Sequence, residues 1–120
     1  MTDQRKKLGT WGEQKAKAYL IGIGYQHIAQ NWRNHLGELD LIMLDGNTVV
    51  FVEVRTKSTS HQGFAYESIN GKKQQQLRKM ANSFLQSKQW WDVPVRFDVV
   101  AIDQHQDRFQ LRHIKNVLLF

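Results

Sequence analysis

The sequence predicts an α/β fold, a mixed central sheet flanked by helices in the order α-β-β-β-α-β, with a weaker strand at the end. Three observations carry this. Two stretches, one near the start and one past the middle, repeat apolar residues at the helical period. Around them lie runs of strand length rich in Val, Ile, Phe and Leu. Two of these runs meet at Asp45-Gly46-Asn47, a turn that makes them antiparallel neighbours.

In chain order, Lys7 to Ile23 reads as a helix. Leu8, Gly12, Ala16, Tyr19, Leu20 and Ile23 form its apolar stripe, and Gly22 and Gly24 end it. Gln26–Arg33 is a first strand, Gly37–Leu44 a second and Thr48–Lys57 a third. Ser58–Tyr66 is polar and carries Gly63, so a mobile loop is expected. Asn70–Lys88 is the second helix, with Leu77, Met80, Ala81, Phe84 and Leu85 towards the core. Val95–Asp103 is the fourth strand, entered from the sole proline, Pro94, and Phe109–Leu119 the weaker fifth. The order α-β-β-β-α-β-β implies a mixed sheet with helices against it.

Composition bounds the function. At 120 residues, 41% of them hydrophobic, residues 1–120 are expected to form one domain with a core of its own. The chain has no cysteine, which excludes disulfides, thiolate zinc sites, iron–sulfur clusters and cysteine nucleophiles, and suits a reducing compartment. The polar start MTDQRKKLGTWGEQK lacks a signal-peptide core, and no apolar run is long enough to span a bilayer. A cytoplasmic protein without a membrane partner is expected. Seventeen Lys and Arg against 11 Asp and Glu give a net charge of +6, which favours polyanions such as DNA or other nucleic acid. Lys72, Lys73, Arg78 and Lys79 gather on the second helix as candidate phosphate contacts. No Walker loop, Rossmann glycine pattern or serine elbow occurs.

The candidate chemistry lies on strands two and three. In a strand alternate side chains share a face, so Glu38 and Asp40 project together, with Leu39, Leu41 and Met43 opposite. Glu53, Arg55 and Lys57 share a face of the third strand by the same rule. Each set alone is equally compatible with a solvated strand face or a surface ion pair. A hairpin at Asp45–Asn47 lets Asp40 and Glu53 converge, however, and two close carboxylates repel unless a proton or cation intervenes. Hard oxygen donors in small number suit Mg²⁺, or Mn²⁺, completed by water and substrate phosphate. Glu13 falls on the flank of the first helix's buried stripe, where it is either a solvated acid or one leaning towards that ion. Asp98, between apolar neighbours, reads as a buried acid paired with Arg96 or a backbone amide. The five histidines show no metal-ligand spacing. Trp11 reads as core, whereas Trp90 and Trp91, being adjacent, cannot both face inward.

Glu13 in an N-terminal helix, Gly37-Glu38-Leu39-Asp40, Phe51-Val52-Glu53-Val54-Arg55 and Arg96-Phe97-Asp98-Val99-Val100 together resemble the YraN family of uncharacterised bacterial proteins. That family is similar to the restriction-endonuclease-like superfamily and, within it, to archaeal Holliday-junction resolvases. The resemblance implies a restriction-endonuclease-like core, Asp40 and Glu53 as metal ligands, and Glu13 as an auxiliary acid. It also implies that Arg55 occupies the place where active nucleases of this fold carry Lys. Arginine stays protonated and cannot be a general base, so Lys57 becomes the candidate ammonium and Lys73 a further phosphate contact. Three functions stay open: a Mg²⁺-dependent endonuclease hydrolysing DNA, including branched or junction DNA; a binding module on the same fold that no longer cleaves; and a basic adaptor whose acids only make ion pairs. Junction cleavage would suit a homodimer with paired sites.

Overall fold

The structure, a computed structural model, describes residues 3–58 and 70–118. Helix α1 (Asp3–Gly22) leads into β1 (Gln26–Asn34), β2 (Gly37–Asp45) and β3 (Thr48–Ser58). Helix α2 (Gly71–Lys88) then crosses to β4 (Val95–His105) and β5 (Arg108–Ile114). Of the expected loop Ser58–Tyr66, Ser58 ends β3 instead, and residues 59–66, with Gly63, lie outside the described residues, as does Leu119 at the expected end of the fifth strand.

The five strands stand in chain order, β1-β2-β3-β4-β5. Their turns explain most of the pairing. Gly46, at φ 62°, closes the β2–β3 hairpin between Asp45 and Thr48. Two further hairpins join β1 to β2 and β4 to β5. Only β3 and β4 run parallel, in register from Val49–Val95 to Ser58–Gln104. That pairing needs a crossover, and α2 supplies it. Asn70 caps α2 by accepting from the Lys73 amide, and left-handed Gln89 ends it.

Each sheet face carries one helix. Below α2, Leu77, Met80 and Phe84 meet Leu39, Ile42, Phe51, Phe97 and Val99. On the other face, Ala16 and Leu20 of α1 meet Leu41, Met43, Val50, Val52, Val100 and Ile102. Strands β3 and β4 are thus apolar on both sides, as central strands covered by helices must be. Gly12 sets the spacing of α1. A Cβ there would collide with the Thr56 hydroxyl and come within 2.9 Å of its Cβ. The helix starts earlier than the sequence predicts and stops sooner. Ile23, assigned to its buried stripe, is 46% exposed beyond the last turn, and Tyr25 is buried instead.

One rung of the sheet breaks the alternation on which the strand faces are predicted. Leu41 and Met43 lie on the α1 side as expected from each other, but Leu39 lies on the α2 side. The expectation that all three share a face is corrected: the phase of β2 slips at Asp40. The β2–β3 ladder stops at Leu41–Val52, and an Asp40 carboxylate oxygen accepts from the Val54 amide at 2.9 Å in place of a strand carbonyl. On the other side Asn31 takes a left-handed backbone, φ 51°, between the pairs Gln30–Leu41 and Trp32–Leu39. Asparagine tolerates that conformation better than most residues.

A buried polar cluster ties the far end of the α1 face together. Asp98, fully buried, accepts from Arg96 Nε at 2.9 Å, from the Asn116 amide at 3.1 Å and pairs with His113 Nε2 at 2.7 Å. Burial pushes its carboxyl up, but the bonds from His113, Arg96 and Asn116 outweigh this and hold it below the ordinary carboxylate value. Arg96 extends the cluster to Asp45 at 2.9 Å and to the Tyr25 hydroxyl. The buried acid paired with Arg96 is therefore as read from sequence. His113 lies on β5, and its ring links Asp98 to Tyr19.

Candidate acidic centre

The slipped rung builds the site. Where the β2–β3 ladder stops, the Asp40 carboxylate turns towards β3 and accepts from the Val54 amide. From the α1 side comes Glu13, and from the neighbouring position of β2 comes Glu38. One oxygen from each of Glu13, Glu38 and Asp40 lies within 4.8 Å of the other two. From the α2 side comes Glu53, close enough to share a hydrogen bond with Asp40 and to repel its charge. Burial first, and the Glu53 charge second, push the Asp40 carboxyl up to about 8, although the Val54 amide opposes them. Around neutral pH a proton therefore sits where a cation would relieve the same repulsion.

Two cation sets flank the acids. Lys73 of α2 reaches Glu53 Oε2 at 3.6 Å, so it faces the acidic centre and not the outer surface. Arg33, largely exposed, holds Glu38 at 2.6 Å. Lys57 and Arg5 line an open cleft of about 580 Å³ between α1 and the end of β3, and Glu13 lines it too. Arg55 is half-buried on β3 and makes no ion pair among the described residues.

The sequence-predicted residues thus divide. Glu13 and Asp40 are brought together with Glu38; Glu53 lies against Asp40 but outside that group of three, and Lys73 pairs with Glu53. Lys57 is placed at the cleft that Glu13 lines, at the far end of β3. The cluster Lys72, Lys73, Arg78 and Lys79 does not form one patch. At about 100° per residue Lys72 and Lys79 share the outer face, while Lys73 turns towards the sheet and half-buried Arg78 lies on the other flank. Among the tryptophans, Trp90 packs on Phe84 and Trp91 is 73% exposed. Trp11 stacks edge-on against Phe109 beneath Lys15.

Two contributors escaped the sequence. Glu38 was placed beside Asp40 but given no role. Asn31 had no signal, because nothing in a run of strand residues marks one left-handed position. Its amide donates to Glu13 Oε1 and to Glu38 Oε1, each at 3.0 Å.

The donor set fits a small hard cation: carboxylate oxygens, no sulfur, and mutual repulsion that a divalent charge would offset. No described helix is long and apolar enough to cross a membrane.

Comparison with known proteins places this arrangement among relatives. Residues 12–102 match the uncharacterised protein family UPF0102. A UPF0102 protein of Pseudomonas fluorescens is 50% identical over 109 residues, covering 90% of this chain and 89% of its own. One from Herpetosiphon aurantiacus is 40% identical, covering 98% of both, and one from Mycolicibacterium vanbaalenii is 38% identical, covering 97% of both. Among solved structures, Hjc of Archaeoglobus fulgidus, a Holliday junction resolvase from an archaeal hyperthermophile, superposes with a TM-score of 0.50. The match covers 88% of this chain and 75% of that one at 16% identity, which speaks to fold alone. The mixed sheet between two helices is the restriction-endonuclease-like core expected from sequence.

Proposed function

The chain belongs to the uncharacterised protein family UPF0102, and from that premise we propose that it is a divalent-metal-dependent endonuclease that hydrolyses phosphodiester bonds in DNA, branched or junction DNA included. The observation that carries this reading is the acidic centre itself: Glu13 of α1 gathered with Glu38 and Asp40 of β2, and Glu53 of β3 against Asp40, whose carboxyl is raised to about 8. A fold does not tolerate such repulsion without a use for it as readily as it tolerates a solvated acid.

In this reading Asp40 and Glu53 are the principal ligands, with Glu13 and Glu38 closing the donor set; Mg²⁺ or Mn²⁺ would fit. When bound, the ion lowers the pKa of a water and offsets charge on the scissile phosphate. The chain's own groups do the remainder. Lys73 orients Glu53. Lys57 and Arg5, on the walls of the cleft beside Glu13, attract the phosphates of the strand to be cut. Arg55 steadies negative charge but cannot accept a proton. Hydrolysis adds the water oxygen to phosphorus, breaks the bond to the leaving sugar oxygen, and passes the water's proton to solvent or a neighbouring base.

A second reading keeps the fold and the basic surface without cleavage. Arg55, in the place where active nucleases of this fold carry Lys, favours it. The two separate in a cleavage assay with Mg²⁺ or Mn²⁺ over single-stranded, duplex, flap and four-way-junction DNA, with Asp40→Asn as control. Metal-dependent cutting lost in Asp40→Asn supports the nuclease; salt-sensitive binding without cutting on any substrate supports the binding module.

A further inference from the structure

Asn31 is the least expected residue of the acidic centre. It interrupts β1 with φ 51°, on the rung where β2 slips at Asp40. Single left-handed residues within a strand cost free energy, so one that persists is over-determined by its surroundings. Here the side chain shows what the conformation achieves. Both hydrogens of one amide group are used, one on Glu13 from α1 and one on Glu38 from β2, at 3.0 Å each. These are two of the three acids whose oxygens lie within 4.8 Å of one another.

We propose that Asn31 is a positioning residue of the metal centre: a neutral clamp that aims Glu13 and Glu38 at a divalent ion beside Asp40. This rests on the metal-dependent reading above. The physical argument concerns charge. Two carboxylates brought towards a third repel, and an unclamped pair would swing out to water. A lysine or arginine in this place would gather them but would repel the incoming cation. An amide gathers them while adding no net charge; it donates to one oxygen of each, leaving the second Glu13 oxygen for the ion, while the second Glu38 oxygen is held by Arg33 at 2.6 Å. Extended backbone would send the side chain of residue 31 to one face of the sheet; the left-handed turn aims it at the rung instead. Asparagine is among the few residues able to supply both the amide and that backbone. Glu38 becomes, on the same argument, a ligand that the sequence did not assign.

The test is Mn²⁺ titration calorimetry at pH 8 on wild type, Asn31→Gly, Glu13→Gln and the double variant, with thermal melts in EDTA. Glycine accepts φ 51° more readily than asparagine, so Asn31→Gly should melt in EDTA at or above the wild-type temperature. Its Mn²⁺ affinity should nonetheless fall about tenfold or more, in the range seen when outer-shell partners of metal ligands are removed. Because the clamp acts through Glu13, Asn31→Gly should cost less in the Glu13→Gln background than in wild type. Asn31→Asp keeps the shape and tolerates the same backbone but adds a further acid; its melting temperature in EDTA should fall below wild type and recover with Mn²⁺. Equal Mn²⁺ affinity in wild type and Asn31→Gly, or fully additive losses, would overturn the clamp while leaving the metal site standing. No Mn²⁺ binding by wild type would remove both.

Discussion

Asp40 connects protonation to folding. Its carboxyl is raised to about 8 by burial and by Glu53, well above an unfolded aspartate. The fold therefore binds a proton that the unfolded chain releases, and the stability this contributes is present at low pH and is lost as pH rises through about 8. In EDTA the melting temperature should fall between pH 6 and 9. Asp40→Asn should flatten that fall and raise the temperature at pH 9. A divalent ion competes with the same proton, so Mn²⁺ affinity should rise over this interval, as calorimetry can follow. A second expectation concerns Arg55 and Lys57. Lys57 lines the cleft beside Glu13, whereas Arg55 is half-buried. Lys57→Ala should lose at least about tenfold in cleavage rate, or about 1.4 kcal/mol of transition-state stabilisation. Arg55→Lys should retain or raise activity. Rates under one metal condition decide, and full activity in Lys57→Ala would remove its role. At this scale the sequence was legible where alternation held. Convergence of Asp40 and Glu53 followed from one hairpin turn, and Asp98 from its apolar neighbours. Asn31, the role of Glu38 and the pairing of Lys73 with Glu53 were obscured because a phase slip and a helix's rotation over the sheet come from packing between elements far apart in the chain.

Among elements, α1 has the tightest constraint. In an open helix, Gly→Ala would stabilise by about 1 kcal/mol. Gly12 lies against Thr56 with no room for a Cβ, so Gly12→Ala should instead destabilise by about 1–3 kcal/mol. Urea unfolding would measure it, and Thr56→Ala in the same chain should return part of the loss. The displacement should also weaken Mn²⁺ binding, since Glu13 follows Gly12 directly. Element boundaries were mostly open to sequence reading because apolar period and turn chemistry are local. All seven described elements were anticipated, and β1, β2, β3 and β4 begin where they were placed. The start of α1 was missed because Asp3 to Lys6 are exposed, leaving no apolar signal there. The end of β5 was overrun because the apolar residues Val117 and Leu118 leave the sheet to pack under α2's core.

For the whole molecule, charge is distributed unevenly around an acidic opening. Lys72 and Lys79 point outward from α2, Lys73 is engaged with Glu53, and Arg5 and Lys57 lie on the cleft at α1. If phosphate contacts dominate DNA binding, each lysine lost from the outer face should shallow the dependence of log affinity on log salt by about 1. Lys72→Ala with Lys79→Ala should therefore reduce the slope by about 2, while Lys73→Ala changes Mn²⁺ affinity more than slope. Fluorescence anisotropy across a salt series distinguishes them, and an unchanged slope in the double variant would move the DNA face to the α1 side.

The parallel ladder between β3 and β4 has a bearing on time. Hairpins joining β1, β2 and β3 close over a few residues, but the ten rungs from Val49–Val95 to Ser58–Gln104 form only after the intervening chain has doubled back. Closing that longer loop costs entropy before any rung repays it, so the N-terminal meander should organise first and β4 dock late. Ile42→Val should then mainly slow folding, whereas Val99→Ala should mainly hasten unfolding, a contrast that stopped-flow chevrons read directly. Glu13, Glu38, Asp40 and Glu53 all precede the crossover, so a nascent chain would expose its most repulsive charges before half of its core exists to hold them together.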